Sequence, residues 1–406
     1  DSVNSYMLIF QSADMPLNLE QQIALANGDM TAAVGQIGVA VASSSDPKFI
    51  DKASKISGIR SVVLNPIIEW GKPETYIQEM GTKAYVPKYF DLQWNLQRIY
   101  APDAWDLGAR GEGVRIFVLD GGINSENPDI SPNLNKSLCK SFVPGEGWDA
   151  TSTVKNYHGT HIAGVIAAAQ TNSNPYNDWG IIGVAPKAEI VAVKVISGKT
   201  GIGLLSYLNE GIVWAADNGA DVINMSLGGY LPSRSGWWVG NIHVTAKDVG
   251  EILHATQRAI TYAYQKGATL VAAAGNGPIN ADKDKNAIIV PAQLAQVIAV
   301  SATDSWDLPW YDTNFGQTLV SFAAPGDWII SDINANNFAY ISGTSQAAAH
   351  VSGVAALIIG QNGGSLQPAQ VNAILLQSAD DLGKPGKDDY YGMGRINAYR
   401  AVLLSK

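Results

Sequence analysis

The chain has 406 residues, of which 46% are hydrophobic and 16% charged, and a formal net charge of −9. That length implies two or three domains, and that composition supports a large core and excludes disorder over most of the chain. The acid excess, with no basic run, excludes a general nucleic-acid binder, and apolar runs of about ten residues are too short to span a bilayer. The single cysteine, Cys139, excludes an intrachain disulfide and a cysteine metal cluster. The chain opens Asp1-Ser2-Val3 without Met, which fits a trimmed, exported protein.

Residues 1–70 read as a small unit of their own. Tyr6–Phe10 is a short apolar strand. Asn18-Leu19-Glu20-Gln21 has the spacing of a capping box and opens a helix through Ala26. Thr31–Ala42 reads as one or two strands with a turn near Gly35–Gly38. Asp46-Pro47 starts a second helix, Gly58 ends it, and Ile59–Leu64 is a last strand. The order strand, helix, strand, strand, helix, strand is the ferredoxin-like split pattern, an α+β unit. Residues 71–90 have no clear period and read as a linker or an ordered loop.

From residue 113 onward, apolar strands alternate with helices. The runs at 114–120, 189–196, 221–227, 268–275 and 297–302 are buried strands, with helices at 204–218 and 250–266. This pattern predicts an α/β doubly wound domain with a mostly parallel sheet. Ligands of such folds sit beyond the carboxyl ends of strands, where Asp120, Ser226–Gly229 and Gly275-Asn276 fall.

Three motifs carry chemistry. Asp120-Gly121-Gly122 puts a carboxylate at a strand tip; alone it also suits a plain turn. His158-Gly159-Thr160-His161 opens an apolar helix. A metal needs a third ligand at metal-site spacing, and none follows. Gly343-Thr344-Ser345 starts a long small-residue helix, where Ser345 meets the positive end of the helix dipole or serves as an ordinary N-cap. Asp, His and Ser in that order resemble the subtilisin family (subtilases) of serine endopeptidases. The resemblance covers about residues 90–406. Ser226-Leu227-Gly228-Gly229 is similar to the family's substrate-binding strand, and Ala273-Ala274-Gly275-Asn276-Gly277 to its oxyanion-hole motif.

The resemblance implies a division into propeptide (1–70), linker with processing site (71–90) and subtilisin-like catalytic domain (91–406). Ser345 would be the nucleophile, His158 its base, Asp120 the group that orients His158, and Asn276 an oxyanion donor. Ser226, Leu227, Gly228, Gly229, Ala274 and Gly275 would line the substrate. His161 and His350 would be structural. Counting back from Pro291 puts the pocket floor at Ile289 and Val290, an apolar floor with no acid to select Lys or Arg. Asp282–Lys285 reads as a solvated loop.

Asp129 matches a family calcium ligand, with Asn177 and Asp178 in the partner loop, so structural calcium is expected and no organic cofactor. A cut after Tyr89, before Phe90, would suit an apolar pocket. Gly121, Gln346 and Ala349 depart from the family's usual Ser or Thr, Met and Pro. Residues 230–250 look like an insertion, with Trp237-Trp238 either an exposed contact patch or packed back on the domain. The whole reads as a secreted, monomeric, self-processing endopeptidase. It would act on polypeptides, be inhibited by its own propeptide, and span no membrane. Two other readings remain: a narrow maturation protease, or a silent binding protein on the same fold.

Overall fold

The computed structural model describes residues 3–69, 89–150, 157–169, 180–335 and 337–406. The first unit runs β1 (Asn4–Phe10), α1 (Leu19–Leu25), β2 (Asp29–Val34), β3 (Val39–Ser44), α2 (Phe49–Ala53) and β4 (Ile59–Leu64). Its strands form one antiparallel sheet in the order β2-β3-β1-β4. The expected capping box at Asn18 is absent. The Asn18 side chain instead accepts from the Gln22 amide (2.7 Å), a partner one turn along the helix. The second helix starts at Phe49, with the Asp46 carboxylate accepting from the Lys48 amide (2.9 Å). Then β5 (Ile67–Glu69) leaves the unit.

The rest of the chain runs α3 (Trp94–Arg98), α4 (Ala101–Asp106), β6 (Arg115–Asp120), β7 (Lys140–Ser141), α5 (His158–Ala167), β8 (Glu189–Lys194), β9 (Ile202–Leu204), α6 (Leu205–Asp217), β10 (Val222–Met225), β11 (Gly229–Pro232), β12 (Trp237–Val239), β13 (Ile242–Val244), α7 (Ala246–Gln265), β14 (Thr269–Ala273), β15 (Ala287–Val290), β16 (Val297–Thr303), β17 (Phe322–Pro325), β18 (Ile329–Asp332), β19 (Phe338–Ile341), α8 (Thr344–Gln361), α9 (Pro368–Ser378) and α10 (Ala398–Leu404). Seven of these strands make one parallel sheet in the order β17-β16-β14-β10-β6-β8-β7.

Burial on both faces explains the unbroken apolar runs. Phe117 and Leu119 of β6 pack on one side of the sheet with α6 and α7. Ile116 and Val118, one residue out of phase, pack on the other side with α5 and α8. Helix α8 is buried throughout Thr344–Ile359. Its small residues allow close approach, with Gly353 against Val184.

The N-terminal unit shares the α6–α7 core. Arg258 donates to the carbonyls of Phe10 (2.8 Å) and Ile37 (3.2 Å), and Arg60 pairs with Glu251 (2.7 Å). Asn65 donates to the Ser206 hydroxyl (2.8 Å). The stretch read as an insertion holds β11, the β12–β13 hairpin and the start of α7, where Thr245 and Asp248 cap each other. The two tryptophans divide: Trp237 packs on the core, while Trp238 is exposed and stacks on His243 at 4.6 Å. The Asp282 carboxylate is more than a solvated charge, since it accepts from the backbone of Gln317 (2.7 Å) and Thr318 (2.9 Å). Among the described residues no helix is long and apolar enough to cross a membrane.

Candidate active site

The strand order reverses direction at β6, which has β8 on one side and β10 on the other. A crevice opens beyond the carboxyl ends at such a switch. Asp120, the last residue of β6, is fully buried there. Its Oδ1 accepts from the Gly121 amide (2.7 Å) and its Oδ2 lies 2.8 Å from His158 Nδ1. Gly121 therefore supports the carboxylate through its backbone, without a side-chain hydroxyl. His158 is the first residue of α5. Gly159 makes this approach possible, because a Cβ there would run into the Gly122 carbonyl.

Ser345 occupies the first turn of α8. Its hydroxyl donates to the Ser226 carbonyl (3.0 Å), and the Ser226 hydroxyl donates to the Ser345 carbonyl (2.8 Å). The Ser345 hydroxyl proton thus points to the Ser226 carbonyl here, and hydrogen bonds at such sites commonly tighten only with substrate bound. Behind Ser226, Asn224 donates to its hydroxyl (2.9 Å) and accepts from Ser352 of α8 (2.8 Å). This buried network fixes β10 against α8.

Asn276 follows β14. Its Oδ1 accepts from the Thr344 amide (3.1 Å) and hydroxyl (2.8 Å). The Thr344 hydroxyl also accepts from the Gly275 amide (3.0 Å). With Oδ1 occupied, the Asn276 amide group keeps its N–H donors for another acceptor. Gly275 has φ +94°, and a Cβ there would lie 2.5 Å from Asn314 Nδ2 and 3.0 Å from the Tyr230 hydroxyl.

The residues expected to line the substrate gather here. Ser226, Leu227 and Ala274 are buried, Gly228, Gly229 and Gly275 half-buried, and Ile289 is buried opposite Tyr230 in the β11–β15 ladder. β5 pairs antiparallel with β9, and Ile68 packs on Gly229. Thr344, named from sequence only as part of the Gly343-Thr344-Ser345 motif, belongs to this site, as do Tyr230 and Asn314, which were not singled out.

A family model described as the subtilase family matches residues 111–394. The chain belongs to the subtilase family. It is a serine endopeptidase of the subtilisin type. It is 35% identical over 352 residues to a thermophilic serine proteinase of Bacillus sp. (strain AK1), covering 86% of this chain and 77% of that relative. It is 37% identical over 316 residues to thermitase of Thermoactinomyces vulgaris, covering 78% and 98%. The solved structure of an epidermin leader peptide processing serine protease from Staphylococcus aureus shares the fold, with a TM-score of 0.80 at 22% identity over 100% of this chain and 99% of that one.

Two further histidines of this subtilase, His161 and His350, lie in packed surroundings. His161 Nε2 faces the carbonyls of Ile329 (3.0 Å) and Ala339 (3.2 Å), with Gln346 Nε2 3.4 Å from its Nδ1. His350 Nδ1 donates to the Gln346 carbonyl (2.7 Å) and its Nε2 accepts from the Asn95 amide (2.7 Å). Burial pushes His161 down to about 3 and His350 down to about 4.

Asp129 is buried, with its Oδ2 accepting from the Ile181 amide (3.2 Å). Asn177 and Asp178 lie outside the described residues. Among the described residues, no three His, Cys, Asp or Glu side chains cluster as a metal site. Tyr89 begins a short 3₁₀ turn, and Phe90 is buried against Trp105 at 6.3 Å between ring centroids. Of the 71–90 linker, residues 71–88 lie outside the described residues.

Gln346, not methionine, follows Ser345. Peroxide therefore has no thioether to oxidise at the position after Ser345, and activity is expected to decline slowly in it. Rapid inactivation with the Ser345 peptide mass unchanged would contradict this expectation.

Proposed function

We propose that the chain hydrolyses polypeptides through an acyl-enzyme formed on Ser345. His158 takes the Ser345 proton and returns it to the leaving amine, while Asp120 holds the Nδ1–H tautomer and stabilises the imidazolium. The Asn276 amide and the Ser345 backbone N–H receive the developing oxyanion charge. Ser226–Gly229, Ala274 and Gly275 bind the substrate in extended form by main-chain hydrogen bonds. The observation that carries this reading is the 2.8 Å His158–Asp120 contact at the carboxyl end of β6. A fluorophosphonate probe tests it: labelling of Ser345 supports it, and no labelling favours a silent binding protein. Asn276→Ala is expected to lower kcat by about 10²–10³ with little change in KM. A rise in KM at constant kcat would place Asn276 in ground-state binding instead.

The N-terminal unit is proposed as a ferredoxin-like inhibitory propeptide, joined by a 71–90 linker to the 91–406 catalytic domain and released by self-cleavage. Support comes from its sheet order β2-β3-β1-β4 and from β5, which leaves it to lie on β9 beside Gly229. Tyr89, ahead of Phe90, is the cut that the linker sequence suggested. Secretion and a monomeric state complete this reading, supported by the relatives' kinship. A narrow maturation role is the second reading. Its support is the fold shared along the whole chain with a protease named for processing one leader peptide, that of epidermin.

A structural calcium ion at Asp129, with Asn177 and Asp178, is part of the proposal. A buried carboxylate that accepts from the Ile181 amide fits a hard cation that takes six to eight oxygens. EGTA is expected to lower the Tm by about 5 °C or more. A Tm unmoved by the chelator removes calcium from the account.

A further inference from the structure

The two walls of the substrate cleft enclose very little space. One wall is Ser226–Gly229 and the other Ala273–Asn276, with Ile289 between them, and the cavity they leave measures about 20 Å³. One water needs roughly 10–15 Å³, whereas a cavity that admits benzene is about 150 Å³.

Tyr230, which is 36% exposed, and the buried Ile289 both line this cavity. They stand directly opposite each other in the β11–β15 ladder, so their side chains share one face. Tyr230 reaches from the first wall to the second. Its hydroxyl donates to the Asn276 carbonyl (3.0 Å) and accepts from Asn314 Nδ2 (2.8 Å). Asn314 is held in turn by the Ala274 carbonyl (2.9 Å) and the Ile279 amide (3.0 Å). The Ile289 amide donates to the Gln293 side chain (2.8 Å), which fixes the floor. A bulky substrate side chain could enter only by displacing the Tyr230 ring, and that breaks the hydrogen bonds steadying Asn276.

We propose that Tyr230 and Ile289 restrict the residue on the acyl side of the cleaved bond to glycine or alanine. This inference rests on the endopeptidase reading above and narrows its substrate class. It also moves the self-processing cut away from Tyr89, whose ring far exceeds the cavity. Within residues 70–88 the small residues are Gly71, Gly81 and Ala84.

The test expresses the full chain, digests a peptide library with the protein as it emerges from its own processing, and reads the cut sites by mass spectrometry. Ile289→Gly, Tyr230→Gly and Tyr230→Phe are run beside it. The wild type is expected to prefer Gly and Ala over Leu, Phe and Arg before the cut by about 10²-fold. Ile289→Gly and Tyr230→Gly should each admit larger residues. Tyr230→Phe keeps the ring and should keep the narrow choice. Leu, Phe or Tyr before the cut as often as Ala in the wild type overturns the inference. So does a Ser345-dependent cut that leaves Phe90 as the new N-terminus. Failure of Ser345 to label with a fluorophosphonate overturns instead the endopeptidase reading beneath it, so the two failures are distinguishable.

Discussion

Asp120→Asn is expected to lower kcat by about 10⁴-fold with KM nearly constant. The reason lies in which donors surround the carboxylate. Oδ1 faces the Gly121 N–H at 2.7 Å and Oδ2 faces His158 Nδ1 at 2.8 Å. An asparagine in the same pose keeps its oxygen toward Gly121, because that backbone donor cannot be turned into an acceptor. Its NH₂ group then faces Nδ1 and forces that nitrogen to accept. The proton moves to Nε2, which no longer has a lone pair for the Ser345 proton. Substrate contacts at Ser226–Gly229 are untouched, so binding survives. Steady-state kinetics on the purified variant check this. A loss under tenfold would mean that Asp120 does not set the tautomer.

Acid is expected to destabilise the protein from about pH 6.5 downward, with His161 and His350 driving the loss. Both are fully buried, and burial holds His161 at about 3 and His350 at about 4, below the unfolded value of about 6.5. The unfolded chain therefore takes up protons that the folded chain refuses. The stabilisation is complete above pH 6.5 and is lost as pH falls toward the folded values. Each residue contributes on the order of 1.4 kcal/mol per pH unit in that window, so the pair costs about 4 kcal/mol by pH 5. That is a large share of a typical stability of about 5–15 kcal/mol. Urea midpoints at pH 7.5 and pH 5 measure it. In His350→Gln, an amide can donate to the Gln346 carbonyl and accept from Asn95 without titrating. The variant is expected to lose about half of the pH dependence. An unchanged drop would clear His350 of the effect.

The parallel sheet was legible because strands buried on both faces leave unbroken apolar runs, as at 114–120 and 268–275. Asp120, His158 and Ser345 stood out because each closes or opens such an element. The small N-terminal unit showed its element order in local signals. Details at helix starts were less reliable: Asn18 bonds Gln22 and not the backbone, and the Thr245–Asp248 cap lay inside a stretch read as an insertion. The support around Asn276 was not legible at all. Thr344, Tyr230 and Asn314 act through partners 68, 46 and 40 positions away in sequence, and only the fold brings them together. Counting back from Pro291 led to Ile289, but Tyr230, the residue opposite it, was hidden until the β11–β15 register was known.

The most direct test of the triad and of self-processing is a pair of intact masses, one for the purified wild type and one for Ser345→Ala. The account predicts that the wild type splits between its N-terminal unit and its catalytic domain while Ser345→Ala stays whole. Two whole chains, or two chains cut at the same bond, would contradict it.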